Sequence, residues 1–292
     1  MIEELKKEVK QLKLKCKIEN DIDLKIKLTR EYHKKALEVI SLIHESDKTR
    51  KGLTARELIA KVESMPNLPK FGTGIAQLDS SLSGGFQTGL FVNLAGESGA
   101  GKTTMLLNIL ANMSESRKTV FFNFEMGDRL FVQKLKKLQL TENQMDNLII
   151  DSDSSSLEDM IMEIELYAED NIKFFAIDSK MKIRTQDSLQ EYQSISKMSS
   201  ELARLAARKD IVIFLINQMN EEDIKNKRLA FKGSGDQKYD SDIALFLVKD
   251  GDKRKLVCSK NRQNDKIFSF DIRLEDYRDC DKPIVVEFNG GL

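Results

Sequence analysis

Cysteine and histidine are scarce, with three and two in 292 residues. Cys16, Cys258 and Cys280 form no Cys-x-x-Cys pair and suggest no disulfide framework, and two histidines argue against a zinc site. This usage suits a reducing cytoplasm. Net charge is also missing: 47 Lys and Arg balance 47 Asp and Glu. A global basic footprint is therefore excluded, and any nucleic-acid contact must be local. No apolar run approaches the length needed to cross a bilayer, and the lysine-rich start lacks the apolar segment of a signal peptide. What is present, 40% hydrophobic residues, suffices for one large α/β domain plus an extension.

The strongest local signal is Gly96-Glu-Ser-Gly-Ala-Gly-Lys-Thr103, which follows the apolar run Leu90-Phe91-Val92-Asn93-Leu94-Ala95. A buried strand, a glycine-rich turn and a helix start are the context that a phosphate-binding loop requires. Gly96, Gly99 and Gly101 let successive backbone N–H groups point into one anion-sized hollow. The helix beginning near Lys102 turns its N-terminal dipole toward the same point. The nucleotide-binding set is then Gly96, Glu97, Ser98, Gly99, Ala100, Gly101, Lys102, Thr103 and Thr104. Lys102 would reach the β and γ oxygens, and the Thr103 hydroxyl would ligate Mg²⁺. These residues make the chain a nucleoside-triphosphate enzyme with a place for Mg²⁺ at Thr103.

Three regions follow along the chain: residues 1–50, 51–70 and 71–292. In the first, Ile2, Leu5, Val9, Leu12 and Cys16 step by three and four, a coiled-coil seam. Asn20-Asp21 interrupts it before a second helical stretch, Leu28 to Ile43, with Tyr32, Leu37, Ile40 and Ile43 on one side. Fewer than three heptads leave a local helical hairpin and a true coiled coil both open. The first 60 residues hold 15 Lys or Arg against 11 Asp or Glu, read as a solvated helix face. Thr54-Ala-Arg-Glu57 is a capping box opening a short helix to about Val62, and Pro66 and Pro69 mark the linker.

From Phe71 onward, strands and helices alternate. Apolar runs at 90–95, 119–125, 147–151, 172–178 and 211–217 have buried-strand length. The helix after the glycine-rich loop buries Met105, Leu106, Ile109, Leu110 and Met113. Another spans 155–168, capped by Ser155-Ser-Leu-Glu158, and a third spans 188–208. The alternation predicts a mostly parallel sheet flanked by helices. Runs at 242–249, 255–260, 267–274 and 283–288 predict an antiparallel extension.

In an open parallel sheet the reacting groups sit at the carboxyl ends of the strands. Asp178 ends the run Phe174-Phe175-Ala176-Ile177, the pattern of an acid that holds Mg²⁺ directly or through water. Glu125 ends Phe121-Phe122-Asn123-Phe124 and is the candidate general base; the plain alternative is a helix-start acid. Asn217-Gln218 ends the run at 211–217, as a γ-phosphate sensor or a turn cap.

With these residues in place, the chain resembles the RecA-type motor domain of the DnaB-like replicative helicases over about residues 54–289. Thr73-Gly-Ile-Ala-Gln-Leu-Asp79 with Gly84-Gly85 looks like that family's lead-in to the phosphate loop. Phe124-Glu125-Met126 is similar to its second-strand motif, and Asn217-Gln218-Met219-Asn220 to its sensor, with Gln218 on the sensor glutamine. Ser259-Lys260-Asn261-Arg262 is similar to its Lys-x-Arg element. The stretch Gly235 to Asp242 and the helix at 54–62 also have counterparts. Glu221 replaces a usual Arg, Tyr239 a usual Gln, and Gln263-Asn264-Asp265 stand where a glycine is usual. About 50 lysine-rich residues replace the large helical N-terminal domain.

The resemblance implies a RecA-like P-loop NTPase fold and an ATP-dependent DNA helicase acting in replication. It implies ATP sites shared between protomers of a homo-hexamer or other ring: Lys102, Thr103, Glu125, Asp178 and Gln218 come from one subunit, Lys260 and Arg262 from the next. Single-stranded DNA would meet Lys180, Lys182 and Arg184 on one loop and Lys225, Lys227, Arg228 and Lys232 on another; ordinary surface charge is the competing account. The N-terminal residues would serve as a collar or as a docking arm for a primase or loader. The protein would be cytoplasmic, in a bacterium or in the host of a phage or plasmid. The main alternative is a RecA-superfamily ATPase that does not unwind, such as a recombination mediator or a KaiC-like ATPase.

Overall fold

The computed structural model describes residues 2–48, 52–64, 70–152, 156–178, 191–219, 229, 231, 240–250 and 253–272. They fall into two compact units, Met1–Asn67 with Ser154–Asp170, and Leu68–Asp153 with Asn171–Leu292.

The first unit is helical: α1 (Ile2–Ile18), α2 (Ile22–Lys48), α3 (Ala55–Glu63) and α8 (Leu157–Glu169). Helices α1 and α2 pack on each other as a hairpin, joined by a break at residues 19–21. Val9, Leu12, Tyr32, Ala36, Val39, Ile40 and Ile43 are buried, the i, i+3, i+4 spacing of a helix face. Leu37 is only half-buried, because Ala36 and Val39 take the inward positions. The solvated lysine face is corrected in part. Lys6 is buried and contacts Glu169 (2.7 Å) and Glu165 (3.7 Å) of α8, and Lys13 pairs with Glu163. Tyr32 donates its hydroxyl to Glu163 at 2.7 Å. Burial alone would push the Lys6 ammonium down; the hydrogen bond to Glu169 and the charge of Glu165 hold it well above the ordinary lysine value. Helix α3 carries the expected capping box, with Thr54 and Glu57 bonded reciprocally. The N-cap of α8 is Ser156, accepting from the Asp159 N–H, one residue beyond the cap read at Ser155.

The second unit is built on an eight-stranded sheet. Its strands are β3 (Leu90–Gly96), β4 (Thr119–Asn123), β5 (Leu148–Asp151), β6 (Phe174–Asp178), β7 (Val212–Gln218), β8 (Ile243–Asp250), β9 (Lys253–Asn261) and β10 (Phe268–Ile272). The order is β10-β9-β8-β3-β7-β6-β4-β5. Strands β5, β4, β6, β7, β3 and β8 are mutually parallel. Antiparallel pairing starts only at β9, so the first strand of the C-terminal extension continues the parallel sheet instead of reversing it. The proposed strand at 283–288 lies outside the described residues.

The helices of this unit are α4 (Ala76–Ser81), α5 (Lys102–Ser114), α6 (Asp128–Lys137), α7 (Glu142–Asn147) and α9 (Glu191–Lys209). A two-stranded piece, β1 (Lys70–Phe71) with β2 (Phe86–Gln87), closes the lead-in. Asp79 pins that lead-in, accepting from Thr73 N–H (2.7 Å), Thr73 Oγ1 (2.8 Å) and Gly74 N–H (3.2 Å). The core gathers Phe86, Phe174 and Phe214, with rings edge to face at 4.9 Å for Phe86 and Phe214, and the inward side of α5. Each such phenylalanine contributes about 1.5–3 kcal/mol by burial. This packing fixes the carboxyl edge of β3, β4, β6 and β7, where the polar residues collect. Among the described residues no helix is long and apolar enough to cross a membrane.

Candidate functional site

The site starts where β3 ends. Gly99 and Gly101 have φ of 73° and 101°, left-handed values that carry a side chain only under strain. Gly101 is the N-cap of α5 and turns the chain into the helix. A Cβ on Gly96 would lie 2.6 Å from the Leu247 carbonyl oxygen of β8, so the loop approaches its neighbour strand more closely than any side chain permits. The loop therefore leads directly into the positive end of a 13-residue helix.

Lys102 donates from Nζ to the carbonyls of Gly96 and Glu97, both at 2.8 Å. Burial pushes this ammonium below the ordinary lysine value, against the charges of Asp178, Glu125 and Glu97. Two neutral carbonyls lack the opposite charge that phosphate oxygens would bring to this ammonium. Thr103 donates from Oγ1 to Asp178 Oδ2 at 2.6 Å. Asp178 closes β6, adjacent to β7, and is fully buried. The carboxyl of Asp178 is pushed up to about 6, by burial first and then by Glu125, whose carboxyl shares a hydrogen bond with it; the Thr103 hydroxyl and Lys102 pull the other way.

Glu125 stands on a turn beyond β4, not at the end of the strand as the apolar run suggested. The strand stops at Asn123, whose side chain bridges the turn: Nδ2 donates to the Met126 carbonyl (2.7 Å) and Oδ1 accepts from the Met126 N–H (3.2 Å). The Phe124 N–H continues onto Asp178 O at 3.1 Å. These bonds carry the Glu125 carboxyl to Asp178. Gln218, the last residue of β7, lies opposite Gly96 in the ladder, with Asn217 opposite Ala95. Thr104 lies in the first turn of α5, its carbonyl accepting from Asn108.

Lys260 and Arg262 are elsewhere. Lys260, on β9, pairs with Ala244 of β8, and the Arg262 N–H bonds Asp242 O at 2.9 Å. Asp242 in turn bonds Phe91, near the start of β3. At 3.3 Å per residue, the five residues from Phe91 to Gly96 put Arg262 roughly 16 Å along the strands from the glycine-rich loop of its own chain. Its guanidinium is held by Asp242 Oδ1 (Nη1 donating, 3.3 Å). The seven basic residues read as DNA contacts (Lys180, Lys182, Arg184, Lys225, Lys227, Arg228 and Lys232) lie outside the described residues.

Two contributors escaped the sequence. Arg254, on β9, donates from Nε to the Ala100 carbonyl at the tip of the glycine-rich loop (3.0 Å). No sequence signal marks it, since 154 residues separate the partners. Asn123 had a signal: a lone amide inside Phe-Phe-Asn-Phe-Glu.

The arrangement suits a hydrated divalent cation bound with a triphosphate. Asp178 Oδ1 is buried with no N–H or hydroxyl donor in reach, beside the Thr103 hydroxyl. Among the described residues no three His, Cys, Asp or Glu side chains converge, so such an ion would complete its shell with phosphate and water oxygens, as Mg²⁺ does.

Residues 71–147 match the DnaB-like helicase C terminal domain. The DNA repair protein RadA of Escherichia coli (strain K12) is 25% identical over 214 residues, 70% of this chain and 44% of that protein. The chain thus spans less than half the length of this curated relative. Among solved structures, an isolated ATPase domain superposes with a TM-score of 0.65 at 18% identity, over 79% of this chain and 98% of that one. A second solved structure, a DnaB-like replicative helicase described with its interactions with primase, superposes at 0.61 and 18% identity, over 84% and 74%. The resemblance read from the motifs thus has a counterpart in these comparisons: residues 71–147 are similar to the DnaB-like helicase C terminal domain, within a chain that has a RecA-like α/β fold.

Proposed function

We propose that the chain is an ATP-dependent DNA helicase of the DnaB-like type, which hydrolyses ATP at sites shared between neighbouring protomers of a ring and moves on single-stranded DNA. The observation that carries this reading is the split of the polar groups between two edges of one sheet. Lys102, Thr103, Glu125, Asp178 and Gln218 gather at the carboxyl edge, whereas Arg262 lies roughly 16 Å away along the strands. An arginine that cannot reach its own phosphate loop suits a neighbour's.

In this account Lys102 and the loop amides bind the phosphates. Thr103 and Asp178 would hold Mg²⁺, which would supply positive charge to the triphosphate. Glu125 orients a water and takes its proton. Gln218 contacts the γ-phosphate, and Lys260 and Arg262 of the next subunit stabilise the charge of the transferring group. A head-to-tail interface of this kind closes into a ring, a hexamer in the family's pattern, when its rotation allows. The lysines and arginines at 180–184 and 225–232 would carry the DNA backbone, and residues 1–50 would act as a collar or as an arm for a primase or loader. The chemistry belongs to a reducing, cytoplasmic setting.

Similarity to RadA favours a second reading, a DNA-repair ATPase of the same fold that does not unwind. A forked duplex with ATP and Mg²⁺ separates the two. The helicase reading expects strand separation by the wild-type protein, lost in Lys102→Ala and Glu125→Gln, whose turnover falls by at least about a thousandfold. DNA-stimulated hydrolysis without strand separation would favour the second reading.

A further inference from the structure

Asn93 lies within β3, the strand that delivers the glycine-rich loop, and its exposure is 0%. An amide at that place interrupts an apolar strand and costs free energy unless hydrogen bonds replace its water. Both ends of the amide are engaged. Oδ1 accepts from Asn217 Nδ2 on β7 at 2.6 Å, and Nδ2 donates to Ser241 Oγ at 2.7 Å. Asn217 stands beside Gln218 at the phosphate end of the sheet. Ser241 precedes Asp242, which is bonded twice to β3: its N–H donates to Phe91 O and its Oδ2 accepts from Phe91 N–H, both at 2.9 Å. Asp242 also holds Arg262, through its carbonyl and through Oδ1. A connected set of bonds therefore crosses β7, β3 and the start of β8, from the sensor end to the arginine on the other edge.

We propose that Asn93 is a positioning residue that ties Asn217, the strand neighbour of Gln218 at one protomer's phosphate site, to the Ser241–Asp242 segment, and through it to the arginine offered to the next protomer. The inference rests on the shared-site reading given above. Its physical basis is that water does not enter around Asn93. A displacement of Asn217 when the γ-phosphate leaves must either carry Asn93 with it or strand a buried amide. Ser241 and Asp242 then move with β3, and Arg262 with them.

The test is steady-state ATP turnover, measured against ATP concentration in the presence of oligo(dT), for wild type, Asn93→Val, Ser241→Ala and Arg262→Ala. Valine keeps a strand-compatible apolar shape and removes the amide. The expected result for Asn93→Val is a fall in kcat of about tenfold and a Hill coefficient reduced to about 1 from a cooperative wild-type curve. Affinity for a fluorescent ATP analogue stays within about twofold, and the melting temperature falls by a few degrees as the Ser241 hydroxyl and the Asn217 amide lose their partner. Should Asn93→Val fail to fold, Ser241→Ala removes a single hydroxyl, cuts the same connection and is expected to lose the same cooperativity. Wild-type kcat and Hill coefficient in the folded variants, or a hyperbolic wild-type curve, would overturn the proposal. Arg262→Ala separates the levels: an inactive Arg262→Ala beside a fully normal Asn93→Val defeats only the connection through Asn93. Full activity of Arg262→Ala defeats the shared site, and this inference with it.

Discussion

The Asp178 carboxyl is held in a place that favours its neutral form. Its proton is retained to about pH 6, well above the ordinary aspartate range. Between pH 4 and 6 the folded chain therefore binds a proton that the unfolded chain has released, and the contribution of this group to stability falls as pH rises through that window. Asp178→Asn removes the penalty. Without nucleotide, the variant is expected to match wild type near pH 4 and to exceed it above about pH 6, by on the order of 2–3 kcal/mol, while losing ATP turnover. Thermal melts of both proteins from pH 4 to 8 measure the difference; a constant gap would contradict the account. At this scale the site was legible where chemistry and chain position coincide. The glycine spacing, the lysine-threonine pair and a strand-end acid speak for themselves in one stretch of sequence. Arg254, Asn93 and the grip of Asp242 on Arg262 did not, because each acts on a partner about twenty residues away or more.

Among the elements, α8 shows how a charged sequence can be misjudged. The lysines of α1 read as solvent-facing because the acids near them in the chain, such as Glu3 beside Lys6 at 3.1 Å, are exposed helix neighbours that do not draw them inward. Their partners Glu163, Glu165 and Glu169 arrive from a helix some 150 residues later, within the same compact unit. Removing one member of a buried ionic cluster leaves the others uncompensated. Lys6→Met is expected to destabilise the unit by about 3 kcal/mol, the lower end for a buried pair because Glu169 is partly exposed, with partial recovery when Glu165→Gln is added. Hydrogen exchange of the α8 amides measures both; equal protection in wild type and Lys6→Met would contradict the role of the cluster. The strands, in contrast, were legible to within a residue or two, since runs buried on both faces leave little freedom. Strand β4 overran its true end because Phe124 extends the apolar run, while Asn123 had already closed the turn.

For the whole molecule, the central claim is that one protomer's phosphate loop works with its neighbour's arginine. The pairing order of the sheet was only half legible: strand and helix alternation announced the parallel part, but not that β8 joins it before the chain reverses. That detail sets β9 antiparallel to β3, which sends Arg262 to the edge away from the loop. The most direct measurement mixes Lys102→Ala with Arg262→Ala. Each alone is expected to be inactive. Together, interfaces that join an intact phosphate loop to an intact arginine should form at random and restore about a quarter of wild-type turnover at equal ratio. No restored turnover at any ratio, or an Arg262→Ala protein that hydrolyses ATP at the wild-type rate by itself, would contradict the account.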